Sequence, residues 1–200
     1  MRLFVAIELP KELKDYAVEI GKHLHEFNHL QEFNLRYVKP ENMEITLAFL
    51  GEVEDKSIGS VIESLKAVRF HEFTLKTQGY GFFPSEKNIR VVWIGLEKND
   101  GFMKLQHDIR DVFGHKDKFM PHITIARAKQ LITKDAGELD MAMKRVKYQE
   151  IGFSIRKFAL FSSELTPQGP IHTLIEEFSA ELDPSRQQHE QYEQQRQDKK

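Results

Sequence analysis

The chain predicts an α+β fold of two lobes, internally duplicated, with two antiparallel or mixed sheets facing across a central cleft and helices outside. Three observations carry this. Short apolar runs of strand length alternate with stretches in which apolar residues recur every three or four positions. The order helix, strand, helix, strand, strand occurs twice. Each repeat also holds a strand of related spelling, EITLAFLG at 44–51 and HITIARAK at 122–129.

The elements follow in order. Leu3 to Leu9 is a continuous apolar run with β-branched and aromatic members, the pattern of a buried strand. Pro10 suits the start of a helix, and behind it Leu13, Tyr16, Ala17, Ile20, Leu24 and Phe27 form an amphipathic stripe up to about Asn28. Residues 35–50 read as extended, interrupted by Pro40-Glu41-Asn42 and ended by Gly51. Ser57 is placed to cap a second helix with the stripe Ile58, Val61, Ile62 and Leu65. Strands at about 72–78 and 89–96 follow, separated by Gly79 to Ser85, a segment rich in turn residues. In the second half, Leu105, Ile109, Val112 and Phe113 mark a helix closed by Gly114. A strand near 122–128, a helix from about Thr133 to Val146 and strands near 149–161 and 170–181 complete the repeat. Residues 1–182 thus make a single domain of two interleaved lobes. The remaining 183–200, with six glutamines and no aliphatic residue, cannot bury enough apolar surface to fold and are expected to be a disordered tail.

Composition limits the chemistry. Twenty-nine Lys and Arg against 31 Asp and Glu leave a net charge of −2, so any binding of phosphate rests on a local cluster rather than a global field. The absence of cysteine excludes disulfides, zinc-thiolate sites and thiol nucleophiles. The opening run MRLFVAIELP is too short for a signal-peptide core, and no run approaches the ~20 apolar residues of a membrane span. A cytoplasmic monomer without a membrane, a protein partner, a metal or a cofactor is expected. Neither G-x-x-x-x-G-K-[ST] nor G-x-G-x-x-G occurs, which leaves ATP-dependent ligation and dinucleotide binding without support.

The two related strands carry the candidate site. Alternate residues of a strand share a face, so His122 and Thr124 project together while Ile123 and Ile125 point to a core. Glu44 and Thr46 stand in the same relation, backed by Ile45 and Leu47, and the two segments start 78 residues apart. Facing one another, they bring two ionisable groups and two hydroxyls into one cleft. Opening a phosphodiester with water needs a base on the attacking side, an acid on the leaving oxygen, and donors for the non-bridging oxygens. Thr46 and Thr124 are such donors. Taken alone each segment is an ordinary strand; the paired placement favours the site.

With those residues in view, the chain resembles the RNA 2′,3′-cyclic phosphodiesterases of the 2H phosphoesterase superfamily, formerly called 2′-5′ RNA ligases. MRLFVAIELP, NMEITLAFLGEV, GFFPSEKNIRVVWIGLE, FMPHITIARAK and FALFSSELTPQGPIHTLIEEFSAEL carry the resemblance, in that order, over about residues 1–182. It implies a pseudo-twofold α+β fold with one His-x-Thr-x tetrapeptide per lobe, and metal-independent opening of a 2′,3′-cyclic phosphate on RNA ends or small cyclic nucleotides to a 2′-phosphate. It makes His122 the proton acceptor and assigns the proton donor to position 44, where this chain has glutamate instead of histidine.

A carboxylate there repels a phosphate by about 4 kcal/mol at ~4 Å and an effective dielectric near 20. A protonated Glu44 is a competent acid but does not replace the lost positive charge. The expectation is therefore a weakened phosphodiesterase favoured by mildly acidic pH. The alternative is a non-catalytic RNA-end or nucleotide binder of the same fold. The family commonly has arginine at position 127, making Arg127 a candidate phosphate clamp, although strict alternation puts it on the face of Ile123 and Ile125. Lys116, Lys118 and Lys129 form a modest basic cluster, and Phe82 or Phe83 offers a surface for a nucleobase.

His25-Glu26-Phe27-Asn28-His29 spells H-E-x-x-H, a zinc-protease helix motif. It lies at the end of a short helix, without a third-ligand helix, and is read as coincidental. His23, His71, His107, His115, His172 and His189 lack any paired placement and are read as surface or structural residues.

Overall fold

The structure, a computed structural model, describes residues 1–27, 33–114, 120–134, 136–167 and 169–181. Its elements are β1 (Arg2–Glu8), α1 (Lys11–Glu26), β2 (Leu35–Tyr37), β3 (Glu44–Glu52), α2 (Ile58–Lys66), β4 (Phe73–Ser85) and β5 (Asn88–Leu96). After these come α3 (Asp100–Val112), β6 (His122–Ile132), α4 (Ala136–Lys144), β7 (Gly152–Ile155), β8 (Lys157–Thr166) and β9 (Gly169–Ser179). They form a four-stranded sheet, β3-β1-β8-β9, and a five-stranded sheet, β2-β6-β5-β4-β7. Every strand pairing in both sheets is antiparallel. The α+β architecture with two sheets is the expected one.

The helices follow the apolar periodicity. In α1 the buried stripe is Leu13, Tyr16, Ala17, Ile20, Gly21 and Leu24, and in α3 it is Phe102, Leu105, Gln106 and Ile109. Asn99 caps α3 by accepting from the Phe102 amide at 3.0 Å. Ser57 does not act as the expected cap. It is already helical, because α2 is entered from a 3₁₀ turn at Asp55–Ser57, and its hydroxyl makes no capping bond. The core continues through Leu3, Val5 and Ile7 of β1, Ile45 and Leu47 of β3, and Ile123 and Ile125 of β6, all at most 2% exposed. Each such side chain contributes about 1.5–3 kcal/mol by leaving water. On the other face of the four-stranded sheet, Phe4, Ala6, Ala159 and Phe161 make a separate small cluster.

Two expectations are corrected. Gly79 to Ser85 is not a loop but the second half of the 13-residue β4, which turns into β5 only at Glu86 and Lys87. Its glycines serve the strand. Gly79, at φ +63, sits where the register with β5 shifts, and Gly81 leaves room for the Trp93 ring across the ladder. A Cβ on Gly81 would lie 2.2 Å from a Trp93 ring carbon. Gly81→Ala is expected to cost about 1–3 kcal/mol through overpacking, read as a fall in Tm of roughly 2–4 °C per kcal/mol. The second correction concerns 149–161, which is two strands in different sheets. β7 pairs with β4, β8 pairs with β1 and β9, and the exposed neighbours Arg156 and Lys157 mark the crossing.

Candidate active site

The two related strands place their side chains through matched bulges. Across from β1, Ala6 opposes Thr46 and Val5 opposes Ala48, so Leu47 is an extra residue in β3. Across from β5, Trp93 opposes Thr124 and Val92 opposes Ala126, which makes Ile125 the extra residue in β6. The buried neighbours Leu47 and Ala48, like Ile125 and Ala126, record the change of phase. After the bulge the alternation runs on the opposite footing. Arg127 therefore joins His122 and Thr124 on the cleft face, contrary to strict alternation, and Phe49 joins Glu44 and Thr46 at the equivalent place on β3.

All six of these side chains line one cavity of about 900 Å³ between the sheets. Glu44, Thr46, His122, Thr124 and Arg127 are thus brought together, while Phe49 was not anticipated. Of the two phenylalanines considered for a nucleobase, Phe82 is buried in the core and Phe83 lines the cavity.

His122 is half-buried, with its ring edge-on to Phe83 at 4.9 Å and tilted against Trp93 at 6.1 Å. Its Nδ1 lies 2.8 Å from the Met120 carbonyl. A carbonyl only accepts, so Nδ1 carries the proton and Nε2 is the basic nitrogen. Burial pushes the His122 pKa below its ordinary 6.5, the Met120 carbonyl opposes this, and the Arg127 charge adds to the lowering. Burial thus favours the neutral form of His122.

His172, read from sequence as a surface or structural residue, lies in the same cavity. The β8/β9 hairpin lines the cavity and is tied to the turn before β3, where Asn42 Nδ2 donates to the Pro170 carbonyl at 2.9 Å. This sets the His172 ring edge-on to Phe4 at 4.7 Å and its Nδ1 3.1 Å from Glu44 Oε2. Both side chains are largely buried, 12% and 15% exposed.

The charged lining is mainly cationic. Arg2, Arg36, Lys39 and Arg127 face the cavity against the single carboxylate of Glu44 among the described residues. Arg127 feels the Glu44 charge, which favours its protonated form, although burial is the larger influence and lowers its pKa. The local cluster that the near-neutral chain required therefore comes from β1, β2 and the turn after it, and from β6. Lys129 is exposed outside the cavity, and Lys116 and Lys118 lie outside the described residues. Tyr37, also in the wall, has its phenol pushed up to about 12 by burial and remains a neutral hydroxyl.

The H-E-x-x-H segment gives no centre. His25 and Glu26 are exposed at the end of α1, and His29 lies outside the described residues. No group of three or more His, Asp or Glu among the described residues is placed to hold a metal ion.

The family described as LigT like Phosphoesterase matches this chain twice, over residues 7–93 and 94–172. The RNA 2′,3′-cyclic phosphodiesterase of Thermotoga maritima is 35% identical over 184 residues, which span 88% of this chain and 94% of that protein. The protein of the same name from Archaeoglobus fulgidus is 32% identical over 177 residues, 86% of this chain and 96% of its own. Among solved structures, a Thermus thermophilus protein aligns with a TM-score of 0.71 at 28% identity, covering 90% of this chain and 97% of that one. Escherichia coli LigT, crystallised with 3′-AMP, has the same fold, with a TM-score of 0.68 at 24% identity over 90% of this chain and 98% of its own.

Proposed function

This chain belongs to the LigT-like phosphoesterase family, and we propose that it hydrolyses a 2′,3′-cyclic phosphodiester, on RNA ends or small cyclic nucleotides, to a 2′-phosphomonoester. The observation that supports this most is the convergence of His122, Thr46, Thr124 and Arg127 on one cation-lined cleft. Water attacks phosphorus while His122 Nε2 takes its proton. The Thr46 and Thr124 hydroxyls and the Arg127 guanidinium hold the non-bridging oxygens as negative charge builds on them. The P–O3′ bond breaks, and the departing oxygen must receive a proton to become the 3′-hydroxyl.

The test is turnover of an oligonucleotide ending in a 2′,3′-cyclic phosphate, with the position of the product phosphate determined by nuclear magnetic resonance. Multiple turnover to the 2′-phosphate is expected. Tight binding without turnover would instead establish the non-catalytic alternative.

A pH profile checks the base. His122 acts only when neutral, and its pKa is lowered, so it remains unprotonated at pH values where an ordinary imidazole has already taken a proton. The acidic limb of kcat/KM is expected below pH 6.5, the ordinary value for histidine. A limb at or above that value contradicts the assignment.

A further inference from the structure

We propose that His172 supplies the proton to the leaving oxygen, with Glu44 as the residue that positions it. The inference rests on the phosphodiester reading above. A base on one wall needs an acid on the facing wall, and the cavity holds a second imidazole there: His122 stands on the five-stranded sheet and His172 on the four-stranded one.

The surroundings of His172 are those of a positioned donor. The Glu44 carboxylate accepts from Nδ1–H at 3.1 Å, which fixes how the ring presents its other nitrogen. Phe4 against the ring and the Asn42 bond to Pro170, two residues earlier on the same strand, limit its movement further. The hydrogen bond at Nδ1 is the only one the structure gives this ring among the described residues, so Nε2 is available to a bound substrate.

The pair also answers the electrostatic objection to glutamate. A lone carboxylate repels the phosphate, whereas a carboxylate paired with an imidazolium presents no net charge. In the reaction, His122 Nε2 takes a proton from water, the water oxygen bonds to phosphorus, the P–O3′ bond breaks, and O3′ receives the Nε2 proton of the His172 imidazolium. His172 is left neutral with Nδ1–H still on Glu44, and solvent restores both histidines.

The experiment compares cytidine 2′,3′-cyclic phosphate with bis(p-nitrophenyl) phosphate. The leaving group of the second departs as a stable anion and needs no acid. His172→Gln is expected to lose about 10²- to 10⁴-fold in kcat/KM on the cyclic phosphate but less than about 10-fold on the nitrophenyl diester. His122→Ala is expected to fail on both. Glu44→Gln, which keeps an acceptor for Nδ1–H but not its charge, is expected to lose about 10-fold on the cyclic phosphate, and it carries the test if His172→Gln does not fold. Equal losses on the two substrates, or a loss below about threefold on the cyclic phosphate, overturn the assignment and leave the phosphodiesterase reading standing. A gain for Glu44→His over the wild type returns the acid to position 44 and also overturns it. Absence of turnover by the wild type of both cytidine 2′,3′-cyclic phosphate and the cyclic-phosphate-ended oligonucleotide overturns both readings.

Discussion

His122→Ala is expected to lower kcat/KM on a cyclic-phosphate-ended oligonucleotide by about 10²- to 10⁴-fold, or about 3–5.5 kcal/mol in the barrier. The loss follows from the position of the ring. Met120 fixes its tautomer, Phe83 and Trp93 hold its plane, and burial favours its neutral form. His122→Gln keeps much of the volume against Phe83 and Trp93 but has no basic nitrogen. It is expected to match the alanine variant in activity while melting close to the wild type. Steady-state kinetics with a circular-dichroism melt for each variant separates chemistry from packing. Retention of wild-type rates by the glutamine variant would remove His122 from the reaction.

Arg127→Met is expected to cost about 10- to 150-fold in kcat/KM, the equivalent of the 1.5–3 kcal/mol typical of hydrogen bonds to a charged group. It should also move the acidic limb of the pH profile upward, because the Arg127 charge is one of the causes holding the His122 pKa down. Arg127→Lys should restore only part of the activity, since a point charge lacks the planar fork that grips two oxygens at once. A change in rate without a movement of the limb would place Arg127 in substrate binding but too far from His122 to tune it.

The sequence makes the two motif strands legible because their alternation is local. His122 with Thr124, and Glu44 with Thr46, each need only two residues of an extended chain to share a face. Arg127 and Phe49 lie beyond a bulge, and one extra residue reverses every face after it. Nothing in the spelling of Leu47-Ala48 or Ile125-Ala126 distinguishes a bulge from a regular apolar run. The glycines of β4 misled in the opposite direction: Gly79 and Gly81 have the composition of a turn but fit a strand whose partner carries Trp93. His172 was illegible for a third reason. It meets Glu44 across 128 residues of sequence, and neither periodicity nor motif spacing encodes that contact. Where alternation is local the chemistry shows in the letters; where the chain returns from a distance, only the coordinates bring the partners together.

The interleaving of strands has a consequence for how the halves of the cleft stay aligned. In one sheet β1 of the first repeat is bonded to β8 of the second, and in the other β5 of the first is bonded to β6 of the second. Severing the chain between the repeats would leave both fragments with bare ladder edges and neither with a complete wall. The backbone seams that join the repeats also make each wall of the cleft a product of both halves of the chain.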